Sequence, residues 1–209
     1  MTPLRNEDIL LAKRLEKRMI DDPGNAEIVT HLGALCFVNS EYKKAGVYLK
    51  KALELKPKNV EALYWYGRFL YFWGSKDPEL KDVIEVMKEA LESDSRCAKC
   101  LLLIYDAMYH RISPNEYISF LERAVELQPD WVSTNESLAE TLFELGRFDE
   151  AEVAAKRALS LYENEARPNF DNGIDKYYYY VIMGMESKIS RKALIELLEK
   201  ITKKKRTIK

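Results

Sequence analysis

Two histidines and three cysteines are all that 209 residues contain of the side chains that most often ligate metals or act as nucleophiles. The odd cysteine count predicts no disulfide framework and a reducing, intracellular setting. The one metal-like spacing is Cys97-x-x-Cys100. A structural zinc site needs four ligands, and His31 and His110 are both far away in sequence, so no metal is expected. No stretch of 18 apolar residues occurs, so no membrane span is expected. The start, MTPLRNEDIL, lacks the basic-then-apolar order of a signal peptide, which predicts a cytoplasmic protein. No glycine-rich phosphate loop and no local Ser/His/Asp or Cys/His set is present. The chain is therefore expected to be no enzyme, to need no cofactor and to take no small-molecule substrate. Lys and Arg (33) balance Asp and Glu (34), so the whole molecule does not advertise nucleic acid or a membrane surface as a partner.

What the chain has is a periodic arrangement of apolar residues. They make up 47% of it, against 32% charged residues, the balance of one soluble globular domain over 1–209. In Ala26 to Asn59, Val29, Leu32, Gly33 and Cys36 fall on one helical face, and Ala45, Leu49 and Ala52 fall on a second. Asn39 and Ser40 separate the two as turn formers, and Pro57 stops the second helix. Gly33 and Ala45 are small where the two helices must approach, and Ala52 is small where the next pair must lie. Asn135-Glu136-Ser137 also fits a glycosylation acceptor, which is read as accidental inside a helix.

This spacing resembles the tetratricopeptide repeat (TPR), whose period is about 34 residues. The pattern restarts at Val60 with Leu63, Tyr66, Gly67 and Leu70, and four added residues precede Val83, Met87 and Ala90. A third copy starts at Ala98 and a fourth at Val132, the latter containing LGRFDEAEVAAKRALSL. The resemblance implies an all-α fold, an α-α superhelix of about four helix pairs at 26–59, 60–97, 98–131 and 132–165. Three residues depart from the pattern. Tyr105 fills a small-residue position, so its helices must splay or its ring must turn outward. Asn135 stands where a large apolar residue belongs. Glu163 stands where Pro belongs, so that helix could run on.

The flanks complete the stack. Residues 3–20 predict an N-terminal capping helix, ended by Asp22-Pro23-Gly24-Asn25, covering the open end that a repeat array must close. Gly74 and Gly146 follow their first helices at one offset, the usual left-handed glycine position. Ser113-Pro114-Asn115-Glu116 is a capping box with Pro at the first helical position. Residues 166–173 read as a loop, 174–202 as a C-terminal capping helix pair, and 203–209 as a disordered basic tail.

The resemblance further implies a concave groove lined by the first helix of each repeat, which commonly holds a partner peptide. Carried over, the groove positions are Thr30, Ala34 and Phe37 in the first copy, and Tyr64, Arg68, Tyr71 and Phe72 in the second. The third copy supplies Lys99, Leu102, Asp106, Tyr109 and His110, and the fourth Glu136, Glu140 and Phe143. The aromatics exceed what the repeat needs, and aromatics with Arg are usual interface content. The expected function is binding another protein or a peptide segment of it, as an adaptor, assembly subunit or chaperone. TPR chaperones of bacterial type III secretion are an alternative. A nucleic-acid binder using the basic tail is the alternative from another class. It is disfavoured because Ala34, Arg68, Asp106 and Glu140 do not form a recurring readout set. The carboxylate clamp of heat-shock-chaperone-binding TPR domains is not reproduced: its positions hold Thr30, Ala34, Lys99 and Leu103, and only Lys99 survives.

Overall fold

The computed structural model describes residues 6–73, 80–109, 111, 113–163 and 192–207. Among them only helices and turns occur, with no strand. In order these are α1 (Asn6–Asp21), α2 (Ala26–Val38), α3 (Tyr42–Leu55), α4 (Val60–Trp73), α5 (Leu80–Ser93), α6 (Ala98–Met108), α7 (Pro114–Leu127), α8 (Val132–Glu144) and α9 (Phe148–Glu163). A further helix, α10, covers 192–207. None is long and apolar enough to cross a membrane. The chain forms two compact units, Met1–Ala107 and Met108–Lys209.

In the first unit α1 packs on α2, α2 on α3, α3 on α4 and α4 on α5. Small residues set these approaches. A Cβ on Gly33 of α2 would stand 2.7 Å from Leu49 Cγ of α3, and one on Gly46 2.7 Å from Phe69 Cζ of α4. Val29, Ala52 and Ala62 form one fully buried cluster, so α4 lies on Ala52 as the repeat spacing requires, and Met19 of α1 packs against the same cluster. Leu15 of α1 is buried. The N-terminal helix thus packs on α2.

The helix starts repeat with the same period. Asn25 Oδ1 accepts the N–H groups of Glu27 (3.1 Å) and Ile28 (3.2 Å). Thirty-four residues later Asn59 Oδ1 accepts those of Glu61 (3.1 Å) and Ala62 (3.2 Å). Both are N-caps, satisfying donors that a helix start leaves open. The helix ends repeat too. At the end of α8, Gly146 N–H donates to Phe143 O (3.0 Å) and Arg147 N–H to Leu142 O (2.9 Å), with Gly146 at φ 74°. At the end of α2, Ser40 N–H donates to Phe37 O (3.0 Å) and Glu41 N–H to Cys36 O (2.8 Å), with Ser40 at φ 62°. Both are Schellman endings. Gly74 lies outside the described residues.

In the second unit α7 packs on α8 and α8 on α9. Ser113 N–H donates to the Glu116 carboxylate at 3.0 Å, the reach-back half of the expected capping box. Asn135 is buried at 1% exposure, yet it is satisfied: its Nδ2 donates to Pro129 O (2.9 Å) and Trp131 O (2.7 Å). That burial agrees with reading the glycosylation match as accidental. In the first unit Tyr105 does not turn outward; its ring is buried.

Two sequence expectations need correction. Chain beyond 202 was expected to be a disordered tail, but α10 continues to 207. Ile201 is fully buried, and Lys205 Nζ reaches Asp149 Oδ1 (2.5 Å) and Glu152 Oε2 (2.7 Å) of α9, which holds the last turn in place. The odd cysteine count did not suggest a disulfide framework, but Cys97 and Cys100 are paired, with Cα atoms 5.3 Å apart. Three residues of spacing at a helix start bring the two sulfurs together, which a cysteine count does not reveal. The loop 166–173 and residues 174–191 of the expected C-terminal cap lie outside the described residues.

Candidate functional site

The candidate residues divide between the two units. In the first unit they form a connected set built on α4. Arg68 stands over the rings of Phe37 (5.8 Å) and Phe72 (5.2 Å), and its Nη1 donates to Tyr64 OH at 3.4 Å. Lys99 Nζ stands 4.7 Å from the centre of the Tyr64 ring and is ion-paired with Glu61 Oε2. The other Glu61 oxygen accepts the indole N–H of Trp65 at 2.7 Å. Tyr71 OH donates to the backbone carbonyl of Asp106 at 3.3 Å, tying α4 to α6. Residues four apart on α4 share a face, which is why Tyr64, Arg68 and Phe72 line up.

Exposure sorts these residues by role. Phe72 is 56% exposed and Asp106 is exposed, whereas Arg68, Tyr71, Lys99 and Leu102 are half-buried. Phe37 and Tyr64 are buried beneath them and support the surface rather than form it. Thr30 is a correction. Expected to face a groove, it is 1% exposed, and its hydroxyl donates to Ala26 O at 2.7 Å on its own helix. Ala34 is buried as well. The first helix of the first copy is closed over by its neighbours, so Phe37 at its end is its contribution to this set.

Two contributors escaped the sequence reading. Glu61 holds Trp65 and Lys99 together, and its signal was a carboxylate at the second residue of α4, where Lys99 is the second residue of α6. Trp73, half exposed, stacks on Tyr42 at 4.8 Å and extends the aromatic surface beyond Phe72. Its signal was a large aromatic at the end of a first helix.

In the second unit the candidates are acidic and phenolic. Tyr109 OH donates to Glu144 Oε1 at 3.3 Å, and its ring meets Tyr117 edge-on at 5.9 Å. Burial, then the charges of Glu144 and Glu140, push the Tyr109 hydroxyl up to about 12. Burial, then Glu144, likewise raises the Glu140 carboxyl, partly offset by Lys200 of α10. Phe143 packs on Phe148 at 5.5 Å, and Glu136 is half-buried. His110 lies outside the described residues. Among the described residues no group of three metal-ligating side chains occurs.

The tetratricopeptide-repeat family matches residues 26–59 and 132–165, the segments that fold as α2–α3 and α8–α9. Those two segments carry tetratricopeptide repeats. Solved structures share the TPR fold. YrrB, described as a TPR protein with an unusual peptide-binding site, is 19% identical with a TM-score of 0.60, over 91% of each chain. A thermophilic TPR protein of Thermus thermophilus is 18% identical with a TM-score of 0.61, over 82% of this chain and 89% of its own. PilF of Pseudomonas aeruginosa is 16% identical with a TM-score of 0.63, over 90% of this chain and 81% of its own. No curated protein matches the sequence. TPR folds suggest protein–protein interaction modules.

Proposed function

We propose that the chain is a non-catalytic adaptor, assembly subunit or chaperone that binds a peptide segment of another protein on the aromatic face of α4. The observation that carries this reading is the continuous run Lys99–Tyr64–Arg68–Phe72. In it an exposed aromatic ring and a guanidinium are held in fixed geometry by buried rings beneath. Rigid aromatics beside Arg contribute most to binding at interfaces, because they bury much area at little entropic cost. YrrB, whose fold this chain shares, supports a peptide as the kind of ligand. The reading includes a cytoplasmic setting and one interaction domain over the whole chain. A nucleic-acid role for the basic end has less support, because Lys205 is engaged by Asp149 and Glu152 of its own chain.

Selection of peptides from a displayed library against the intact chain tests the proposal. Peptides enriched on the natural chain should bind at least tenfold more weakly to Phe72→Ala and to Arg68→Ala. Both variants should keep the natural melting behaviour. Equal binding by both would overturn the assignment of this face.

A further inference from the structure

We propose that Cys97 and Cys100 form a thiol–disulfide site that closes or releases the first turn of α6, and with it Lys99. The argument begins with the helix starts. Asn25 and Asn59 are the N-caps of α2 and α4, each accepting the N–H of the third helical residue, Ile28 and Ala62. Counting the four added residues of the second copy, Cys97 holds the same place before α6, and Cys100 is its third helical residue. Cysteine is a poor N-cap acceptor. Here the covalent bond joins the cap residue to the third helical residue, the two positions that Asn links by a hydrogen bond elsewhere. The backbone is closed around the same turn, with Cys100 N–H donating to Cys97 O at 3.0 Å and Leu101 N–H at 3.3 Å.

Lys99 lies inside that turn. It is the second residue of α6, as Glu61 is of α4, and the two are ion-paired. Glu61 in turn holds the Trp65 indole. Breaking the disulfide removes the covalent link across the first turn of α6, so that turn frays and Lys99 leaves Glu61 and the Tyr64 ring.

The co-reactant is a small thiol of the glutathione class. Both cysteines are buried, Cys97 at 6% exposure and Cys100 at 0%, so attack falls on Cys97, the less buried of the two, when the turn opens. The thiolate of one small thiol attacks Cys97 Sγ. The bond to Cys100 breaks, and Cys100 leaves as a thiolate that takes up a proton. A second small thiol attacks the mixed disulfide at the small-molecule sulfur and releases Cys97, which is protonated. Two small thiols are oxidised to one disulfide, and one protein disulfide is reduced to two thiols. Helix starts favour anions, thiolates among them, which assists each departure.

The effect on partner affinity rests on the reading of the α4 face, so the test reads the protein itself. The intact chain is equilibrated in glutathione buffers from fully oxidised to fully reduced, then alkylated and weighed. Two more alkylations should appear across the reduced range. The Trp65 indole N–H signal, assigned with Trp65→Phe, should move in step. In Cys97→Asn, which restores an asparagine cap, the Trp65 signal should stay at its oxidised position in every buffer. The inference is overturned if no pair of thiols is gained, or if the indole signal is the same in both forms. It is also overturned if Cys97→Asn sits at the reduced position. Each of these results leaves peptide binding by the α4 face to be judged on its own.

Discussion

Leu49 of α3 fills the space in which a side chain on Gly33 of α2 would stand. Its Cγ and Cδ2 lie 2.7 and 2.8 Å from the position of that Cβ, and its backbone N lies at 3.2 Å. Leu49 is fully buried, so it has nowhere to withdraw. Gly33→Ala is expected to destabilise by about 1–3 kcal/mol through overpacking. Gly67 is the control. A Cβ there would meet the Met87 side chain at 2.5 Å from Cε and Leu103 Cδ2 at 3.2 Å. Met87 is as buried as Leu49, but the clash is with the far end of an unbranched chain that has more rotatable bonds with which to shift. Gly67→Ala is therefore expected to cost less than Gly33→Ala. Urea unfolding of both variants checks the order, and the reverse order would contradict it.

Ser40 adopts the left-handed backbone that Gly146 adopts at the matching place, at φ 62° against 74°. A side chain there crowds the carbonyl that follows, which glycine avoids. Ser40→Gly is expected to stabilise by about 0.5–1 kcal/mol, the relief of strain being partly offset by the greater freedom of glycine in the unfolded chain. A rise in melting temperature without change in the helical spectrum is the readout. A fall would mean that the serine hydroxyl supports the turn.

Asn135 occupies a buried place that the repeat pattern assigns to a large apolar residue. Replacement by Leu would restore the pattern and remove the donor to Pro129 O and Trp131 O. Leaving these acceptors without that donor outweighs the apolar gain, so Asn135→Leu is expected to destabilise by about 1–3 kcal/mol. Chemical denaturation decides between the two effects.

Glu152, with Asp149 beside it on Lys205, contributes to the pH dependence of the α9–α10 contact. Lys156 first, then Lys205, hold its carboxyl down to about 2. A carboxyl with a depressed folded-state value contributes stability above the ordinary carboxylate range. That contribution is lost as pH falls toward about 2. Lys205→Ala should raise the Glu152 titration while leaving it below the ordinary value, since Lys156 remains. The stability difference between this variant and the natural chain should be present at neutral pH, shrink on acidification and weaken in high salt. Carboxyl-resolved NMR titration together with melting curves at several pH values reads both effects.

The repeat itself was legible in the residue order because it rests on local rules. Small residues at fixed intervals, Asn before α2 and α4, and Gly after α8 report on spacing along one helix or between neighbours. The face of α4 was legible for the same reason, since Tyr64, Arg68 and Phe72 share it by helical geometry alone. What only the tertiary structure decided depends on partners distant in sequence. Thr30 and Phe37 have the register of a groove, but neighbouring helices bury both. Lys99 looked like a free groove cation until Glu61, 38 residues earlier, was found to hold it. Lys205 looked like part of a loose tail until α9 supplied Asp149 and Glu152, the nearer of which in sequence lies 53 residues before it. A side chain's register follows from the backbone period, but its exposure and its charge partner follow from which helix folds back against it.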